Sequence, residues 1–331
     1  MSKAHALLRA GFPYVTTLGM RRVTSYPMDL ALGDEDQLFV VCRTEAGANI
    51  RRINWDDEDL GTITPPLLWP VCIVRGPDGN LTVSDEGAHT ITTVTLEGEL
   101  VRSWGEHGSA PGQLDRPSGL AFDPDGNLLV SDTANHRIQR FTPEGRHLGG
   151  WGSQGSEAGQ LDMPWGLTID EEGDIYVADW RNDRVQKFSP AGEPLMVLGR
   201  TGAGDGEFSR PAGVAVDAHG DVYVADRGNN RVQLFSPEGR YVQKFLGEAT
   251  LSKIGRRYIL ANQKTLRLRE MANLEPQRLL RTPASVRLDG EGHMYVPDLG
   301  SHRVQIYKKE AYVLEPNEIM PPLGAPTLLT T

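Results

Sequence analysis

The sequence predicts an all-β protein, a six-bladed β-propeller with a short helical insertion between blades 5 and 6, and three observations predict it. A proline recurs at Pro27, Pro70, Pro117, Pro164, Pro211 and Pro283, at spacings of 43, 47, 47, 47 and 72 residues. A second column keeps the same register with Asp85, Asp132, Asp179, Asp226 and Asp298, Cys42 standing in its place in the first unit. Between the two columns the units carry turns such as Pro124-Asp-Gly126, and Asp-Gly favours a tight hairpin because that turn needs positive φ. Self-similarity at a period of about 40–50 residues, built from short strands and Gly-rich turns, is the signature of propeller blades.

The third unit shows the expected elements in order. Residues 120–123 read as a first strand and 127–131, NLLVS, as a second. A loop follows at 132–136, and 137–141, RIQRF, alternates charged and apolar residues as a half-buried third strand does. The turn Pro143-Glu-Gly145 leads to a fourth strand over 147–151, and a Gly-rich connector at 152–160 opens the next unit. Arg137, Arg184, Arg231 and Arg303 stand five residues after their aspartates, with Thr90 in that place in the second unit. A feature that recurs in almost every blade answers a need of every blade, so this Asp and Arg pairing is read as scaffold.

The ring must also close, since an open sheet edge invites unwanted pairing. The segment 14–19, YVTTLG, resembles the fourth-strand segment 100–105, LVRSWG, and the sixth unit lacks a fourth strand after its third. The N-terminal strand, 12–20, is therefore expected to complete blade 6, with 311–314 as the alternative. The propeller spans 12–310, its blades starting near residues 26, 69, 116, 163, 210 and 282, and 311–331 form a Pro-rich tail.

One departure breaks the period, the stretch 248–281. Apolar residues at Ile254, Tyr258, Leu266, Met271 and Leu274, with few turn formers, predict one or two amphipathic helices. The stretch carries eight Lys/Arg and three Glu, a net charge of +5 in a chain of −10, so the remainder is −15. Its place in a fourth-to-first-strand connector makes it an expected lid over one mouth of the central channel.

The motif G-x-x-G-x-x-x-G-[QE]-[LF]-x-x-P-x-G, followed by D-x-x-G-x-[LIV]-[LY]-V-[SA]-D and N-x-R-[IV]-Q-x-F, resembles the NHL repeat, most strongly in units 3 to 5. The resemblance covers 26 to about 308 and implies a six-bladed ring, in agreement with the count of proline units. Amidating lyases with an NHL-type propeller bind zinc in the channel through histidines, several of which directly follow the blade proline. Here those positions hold Met28, Val71, Ser118, Trp165, Ala212 and Ala284. The resemblance therefore does not carry that activity over, because such a site requires three neutral imidazoles converging on one ion. His89, His136 and His302 fall in second-to-third-strand loops of blades 2, 3 and 6, which are not consecutive.

Composition narrows the partners. A net charge of −10 argues against general nucleic-acid binding, which needs a basic surface to displace counterions. Cys42 and Cys72 give neither zinc spacing nor a disulfide framework, and no apolar run has membrane-span length. A soluble, cytoplasmic, acidic protein is expected.

Function is sought where the repeats differ. Tyr26, Trp69, Arg116 and Arg210 precede blade prolines, Trp165 follows one, and Trp180, Arg181 and Arg227 follow the aspartate column. Together they form an expected ligand-binding mouth for an anionic or aromatic ligand, because Arg binds carboxylates bidentately and stacks on rings. Two residues past the proline, blades 3 to 5 have Gly119, Gly166 and Gly213, where blades 1, 2 and 6 have Asp29, Cys72 and Ser285. On ring closure the latter three become a polar cluster on one side of the channel. No cofactor is expected, a divalent metal in the channel being the one open alternative. The reading favours a module that binds a small ligand or a protein, with a lyase or lactonase-type propeller enzyme as the alternative, and leaves the oligomeric state open.

Overall fold

A computed structural model describes residues 8–313 apart from 35, 45–46, 263–266, 268–270 and 272. The tail at 314–331 and the middle of the insertion lie outside the described residues. Six four-stranded antiparallel sheets follow one another around a central channel, so the fold is a six-bladed β-propeller. Blade 3 sets the pattern with strands Pro117–Phe122, Leu128–Asp132, Arg137–Phe141 and His147–Trp151. Its innermost strand starts three residues earlier than the sequence suggests, because a register shift between Pro117 and Leu120 lets the chain pair from the proline onward. Blade 6 consists of Arg287–Leu288, His293–Asp298 and Arg303–Lys308, with Tyr14–Leu18 as its outer strand. The segment Glu310–Val313 pairs with Leu8–Gly11 in a separate two-stranded ribbon.

Each blade alternates its side chains between the faces it shares with its two neighbours. The buried residues accordingly sort into six apolar clusters, one at each blade junction. At the junction of blades 3 and 4, for example, Leu129, Ile138, Leu161, Leu167, Val177 and Phe188 are buried together. Burying each such side chain contributes about 1.5–3 kcal/mol, and neighbouring blades supply all of it.

Two polar devices recur at the rim. The Asp132 carboxylate accepts from the backbone N–H of Asp115 (2.6 Å), Asn135 Nδ2 (2.9 Å), Arg137 Nε (2.7 Å) and Gln139 Nε2 (2.9 Å). Arg137 in turn donates to the carbonyls of Ser109, Ala110 and Gln113 in the Gly-rich connector. Asp179, Asp226 and Asp298 repeat the latch with Arg184, Arg231 and Arg303. In blade 2, where Thr90 replaces the arginine, Asp85 accepts instead from the backbone N–H groups of Trp69, Gly87 and Ala88.

The second device clasps one blade to the next. The last residue of the loop between second and third strands has positive φ, as at His89, His136, Asp183, Asn230 and His302. Its side chain accepts the N–H of the residue before the next blade's proline: His89 from Arg116, His136 from Met163, Asp183 from Arg210, Asn230 from Thr282 and His302 from Tyr26. The three loop histidines are thus parts of the scaffold, each at a different junction.

The insertion forms two helices among the described residues, α1 at Lys253–Leu260 and α2 at Glu275–Arg278. Ser252 caps α1 by accepting from Gly255 N–H (3.1 Å). Buried Asp57, in the outer hairpin of blade 1, accepts from Ile254 N–H and Gly19 N–H, both at 2.6 Å. Arg22 lies over Tyr258, and the Thr250 hydroxyl meets that of Tyr14 on the outer strand of blade 6. The contacts of α1 therefore run along the outer edge of blades 6 and 1, whereas the sequence suggested a cover over the channel mouth. A period gap reveals that a connector is long; the buried Asp57 decides where it goes.

Candidate functional site

The residue that follows the aspartate column turns inward over the channel mouth. In ring order these residues are Arg43, Glu86, Thr133, Trp180, Arg227 and Leu299. Below them, the residues that follow the prolines make an apolar neck: Met28, Val71, Trp165, Ala212 and Ala284 line the channel. Cations therefore stand on an apolar floor, where their charge is poorly hydrated.

Four of the expected mouth residues come together. The rings of Trp165 and Trp180 lie 5.8 Å apart at 40°. Arg210 covers Trp180 at 5.2 Å from the ring centre, and Arg227 covers Trp165 at 5.8 Å. Across the mouth a second group forms around Glu86, which is buried and pairs with Arg43 and Arg116, each at 3.1 Å. Arg43 also covers Trp69 at 4.6 Å. Trp69 itself is 52% exposed and Leu68 beside it 67%, an apolar lip on the same face.

The two groups share an electrostatic imbalance. Burial holds the Arg43 guanidinium down to about 10, with the charge of Arg227 pushing the same way and Glu86 opposing. Burial likewise lowers Arg227, Glu86 opposes it, and Arg210 adds like-charge repulsion. Glu86 is already held by Arg43 and Arg116. Among the described residues neither Arg210 nor Arg227 has an ion-pair partner, and no side-chain hydrogen bond is made by either.

Two expected mouth residues stand apart. Tyr26 packs its ring on His302, 4.4 Å centre to centre, and so belongs to the junction of blades 6 and 1. Arg181 is exposed on the loop beside Trp180. Arg43 and Glu86 were missed by sequence reasoning, although they occupy the same column as Trp180 and Arg227 in blades 1 and 2.

Deeper in the channel, a small cavity of about 20 Å³ is lined by Asp29, Cys72 and Ser285 together with Arg287. Arg287, also missed, holds the cluster. Its Nε donates to Asp29 Oδ1 at 2.8 Å, its second nitrogen contacts Asp29 Oδ2, and the same nitrogen lies 3.1 Å from Cys72 Sγ. Asp29 further accepts the N–H of Ile73 at 3.0 Å. Burial, followed by the charge of Asp29, pushes the Cys72 thiol far up, so it stays protonated and is a poor nucleophile. Asp29 is committed to Arg287, so the channel wall does not present a free carboxylate to a cation. A signal for Arg287 exists in the repeat, where the same position holds Ala31, Val74, Ala121, Thr168 and Ala215.

The glycines opposite have a steric reason. A Cβ at Gly119 would lie 2.3 Å from the carbonyl oxygen of Trp165, and one at Gly166 would lie 2.5 Å from that of Ala212. Blades 3 to 6 approach one another too closely on their inner strands for any side chain. At the equivalent places in blades 1, 2 and 6 stand Asp29, Cys72 and Ser285, all buried and lining the channel.

Among the described residues no helix is long and apolar enough to cross a membrane, and both cysteines are free and buried. In comparison with known proteins, the NHL repeat profile matches residues 114–141, 161–188 and 208–235. No curated protein matches the sequence. Among solved structures, a protein of unknown function from Bacteroides thetaiotaomicron is similar at a TM-score of 0.65 and 18% identity, over 91% of this chain and 77% of that one. A catalytically inactive virginiamycin B lyase from Staphylococcus aureus with quinupristin is similar at a TM-score of 0.57 and 12% identity, over 94% and 90%. The WD40 propeller domain of Doa1 is similar at 0.56 and 12%, over 85% and 78%. At these identities the likeness concerns the fold.

Proposed function

This chain is an NHL-repeat six-bladed β-propeller, and on that premise we propose that it is a binding module whose channel mouth takes a small anionic ligand with a planar or aromatic face. The observation that carries the reading is Arg227. Its guanidinium is half-buried over Trp165, is repelled by Arg210 and Arg43, and makes neither hydrogen bond nor ion pair among the described residues. A bound carboxylate or phosphate would supply the missing acceptor to Arg227 and Arg210 together, and Trp165 and Trp180 would supply a stacking surface. Propellers host both binding and catalysis, so the fold leaves the choice to the site. An enzyme of lyase or hydrolase type is the second reading, and the channel chemistry supports it less. There the thiol is held protonated and the carboxylate is engaged by Arg287.

Helix α1, with Lys253, Arg256 and Arg257 exposed, offers a second surface at the outer edge of blades 6 and 1, suited to an acidic protein partner. Two free, buried thiols support a reducing, cytoplasmic setting. The test is a thermal-shift screen of aromatic mono- and dicarboxylates and aryl phosphates on the full chain, followed by titration of tryptophan fluorescence. Ligands that stabilise the parent should lose their effect in Arg227→Gln and Trp180→Ala. Retained binding in both folded variants, or a panel without any ligand, would sink the reading.

A further inference from the structure

We propose that His89, His107 and Asp115 form a transition-metal site at the junction of blades 2 and 3, away from the channel. His89 closes the second-to-third-strand loop of blade 2, His107 lies in the connector leaving that blade, and Asp115 precedes Arg116-Pro117. The connector is held by a bridge between His107 and Leu114, which fixes the backbone on both sides of the site. His89 Nδ1 lies 3.4 Å and His107 Nε2 3.6 Å from the same oxygen of Asp115. All three donor atoms fall within 4.8 Å of one another, and no other such trio occurs among the described residues. A tetrahedral zinc with bonds of about 2.0–2.1 Å to nitrogen and oxygen needs ligands roughly 3.3 Å apart. Two of the three separations are close to that, and the third closes by a rotation of His107, whose side chain is 64% exposed.

The repeat supplies the control for chance. The same three positions hold His136, Gln154 and Asp162 at the next junction, and Asp183, Thr201 and Ser209 at the one after. The scaffold asks only that the first residue accept the next blade's N–H, which His, Asp and Asn all do. A carboxylate also stands beside His136, where Asp162 lies 3.1 Å away, so what is particular to this junction is the second imidazole, His107, which converges on the histidine and carboxylate pair. Two imidazoles and one carboxylate suit Zn²⁺, Ni²⁺ or Co²⁺, whereas Mg²⁺ and Ca²⁺ prefer an all-oxygen shell. The exposure of His107 leaves a further coordination position open to water.

Metal binding here also has a mechanical consequence. His89 Nδ1 accepts the N–H of Arg116 at 3.1 Å, and the metal would draw on the same lone pair. Loading the site therefore competes with the clasp at Arg116, whose side chain pairs with Glu86 at the channel mouth.

The test uses the full chain, stripped with a chelator and titrated with Zn²⁺ by calorimetry, with Co²⁺ absorption reporting coordination number. One equivalent should bind, with an intense four-coordinate Co²⁺ band. Both His107→Ala and Asp115→Asn should weaken it, by at least the ~10–100-fold that loss of outer-shell partners produces. These two side chains take no part in the scaffold latch, so both variants should fold. His136→Gln, which alters the neighbouring junction, should bind as the parent does. Substoichiometric binding, an octahedral Co²⁺ spectrum, or affinity unchanged in His107→Ala would overturn the proposal.

Discussion

Arg287, on the innermost strand of blade 6, grips the carboxylate of Asp29, on the innermost strand of blade 1, with Nε on Oδ1 at 2.8 Å and a second nitrogen on Oδ2. The pair spans the junction where the last blade meets the first. Breaking it from one side leaves Asp29 buried without its counter-charge. Arg287→Ala should therefore lower unfolding free energy by about 3–5 kcal/mol. The double variant Asp29→Ala with Arg287→Met should recover most of that, since a buried pair can be replaced by apolar groups with little loss. Urea denaturation of the three proteins decides it. If the single variant loses no more than the double, the pair contributes nothing specific.

Close approach of inner strands makes a second prediction. Gly166→Ala forces a Cβ to 2.5 Å from the carbonyl oxygen of Ala212, which is backbone and cannot rotate away. The variant should lose about 1–3 kcal/mol or more, the usual result of overpacking. Ser285→Ala, at the equivalent position of blade 6 beside the open channel, should lose less than about 1 kcal/mol. Thermal denaturation compares them directly, and equal losses would refute the steric account of the glycine column.

These two positions also show how far the sequence could be read. The Gly119, Gly166, Gly213 column and its replacement by Asp29, Cys72 and Ser285 are visible as a pattern, but the reason for the glycines, the backbone of the next blade within reach of a Cβ, is a property of the closed ring. The fold was legible because each blade solves the same problem with the same residues: an Asp to latch the loop, a proline to start the strand. Trp165, Trp180, Arg210 and Arg227 were legible because they occupy variable slots in blades whose repeat is regular. Arg43 and Glu86 occupy the same ring of slots, but blades 1 and 2 have drifted so far that their register is faint. Tyr26 occupies a mouth slot and packs against His302 instead, a pairing across 276 residues that no local pattern encodes.

His302 gives a pH dependence with a definite sign. Its Nδ1 accepts the N–H of Tyr26 at 3.0 Å, which requires the neutral ring. Burial lowers its pKa below the ordinary 6.5, with Arg21 and Arg281 adding to this and Asp298 opposing. The unfolded chain takes up this proton as pH falls through about 6.5, while the folded ring resists it. The contribution is therefore fully present above 6.5 and is lost as pH falls from there toward the lowered folded value. Asn230 makes the same clasp in blade 5, its Oδ1 accepting from Thr282 N–H at 2.8 Å, and Asn tolerates the left-handed backbone. His302→Asn should thus keep stability near neutral pH and flatten the decline on acidification. Urea midpoints at about pH 7.5 and about pH 5.5 measure it, and an unchanged slope would assign the decline elsewhere.

The mouth sets function against stability. Arg227 is a cation withdrawn from water over Trp165, with Arg210 and Arg43 repelling it. Such a group is unfavourable in the free protein and is expected only where a ligand compensates it. Replacing it with the shorter, neutral side chain in Arg227→Gln should raise the melting temperature of the free protein, with a gain of about 0.5–2 kcal/mol. The same substitution should abolish the stabilisation given by an anionic aromatic ligand. Arg137→Gln is the comparison, because that guanidinium is fully engaged by Asp132 and three carbonyls. It should destabilise the protein. If both variants destabilise alike, Arg227 is a scaffold residue like Arg137, and the mouth has no vacant cation to offer a ligand.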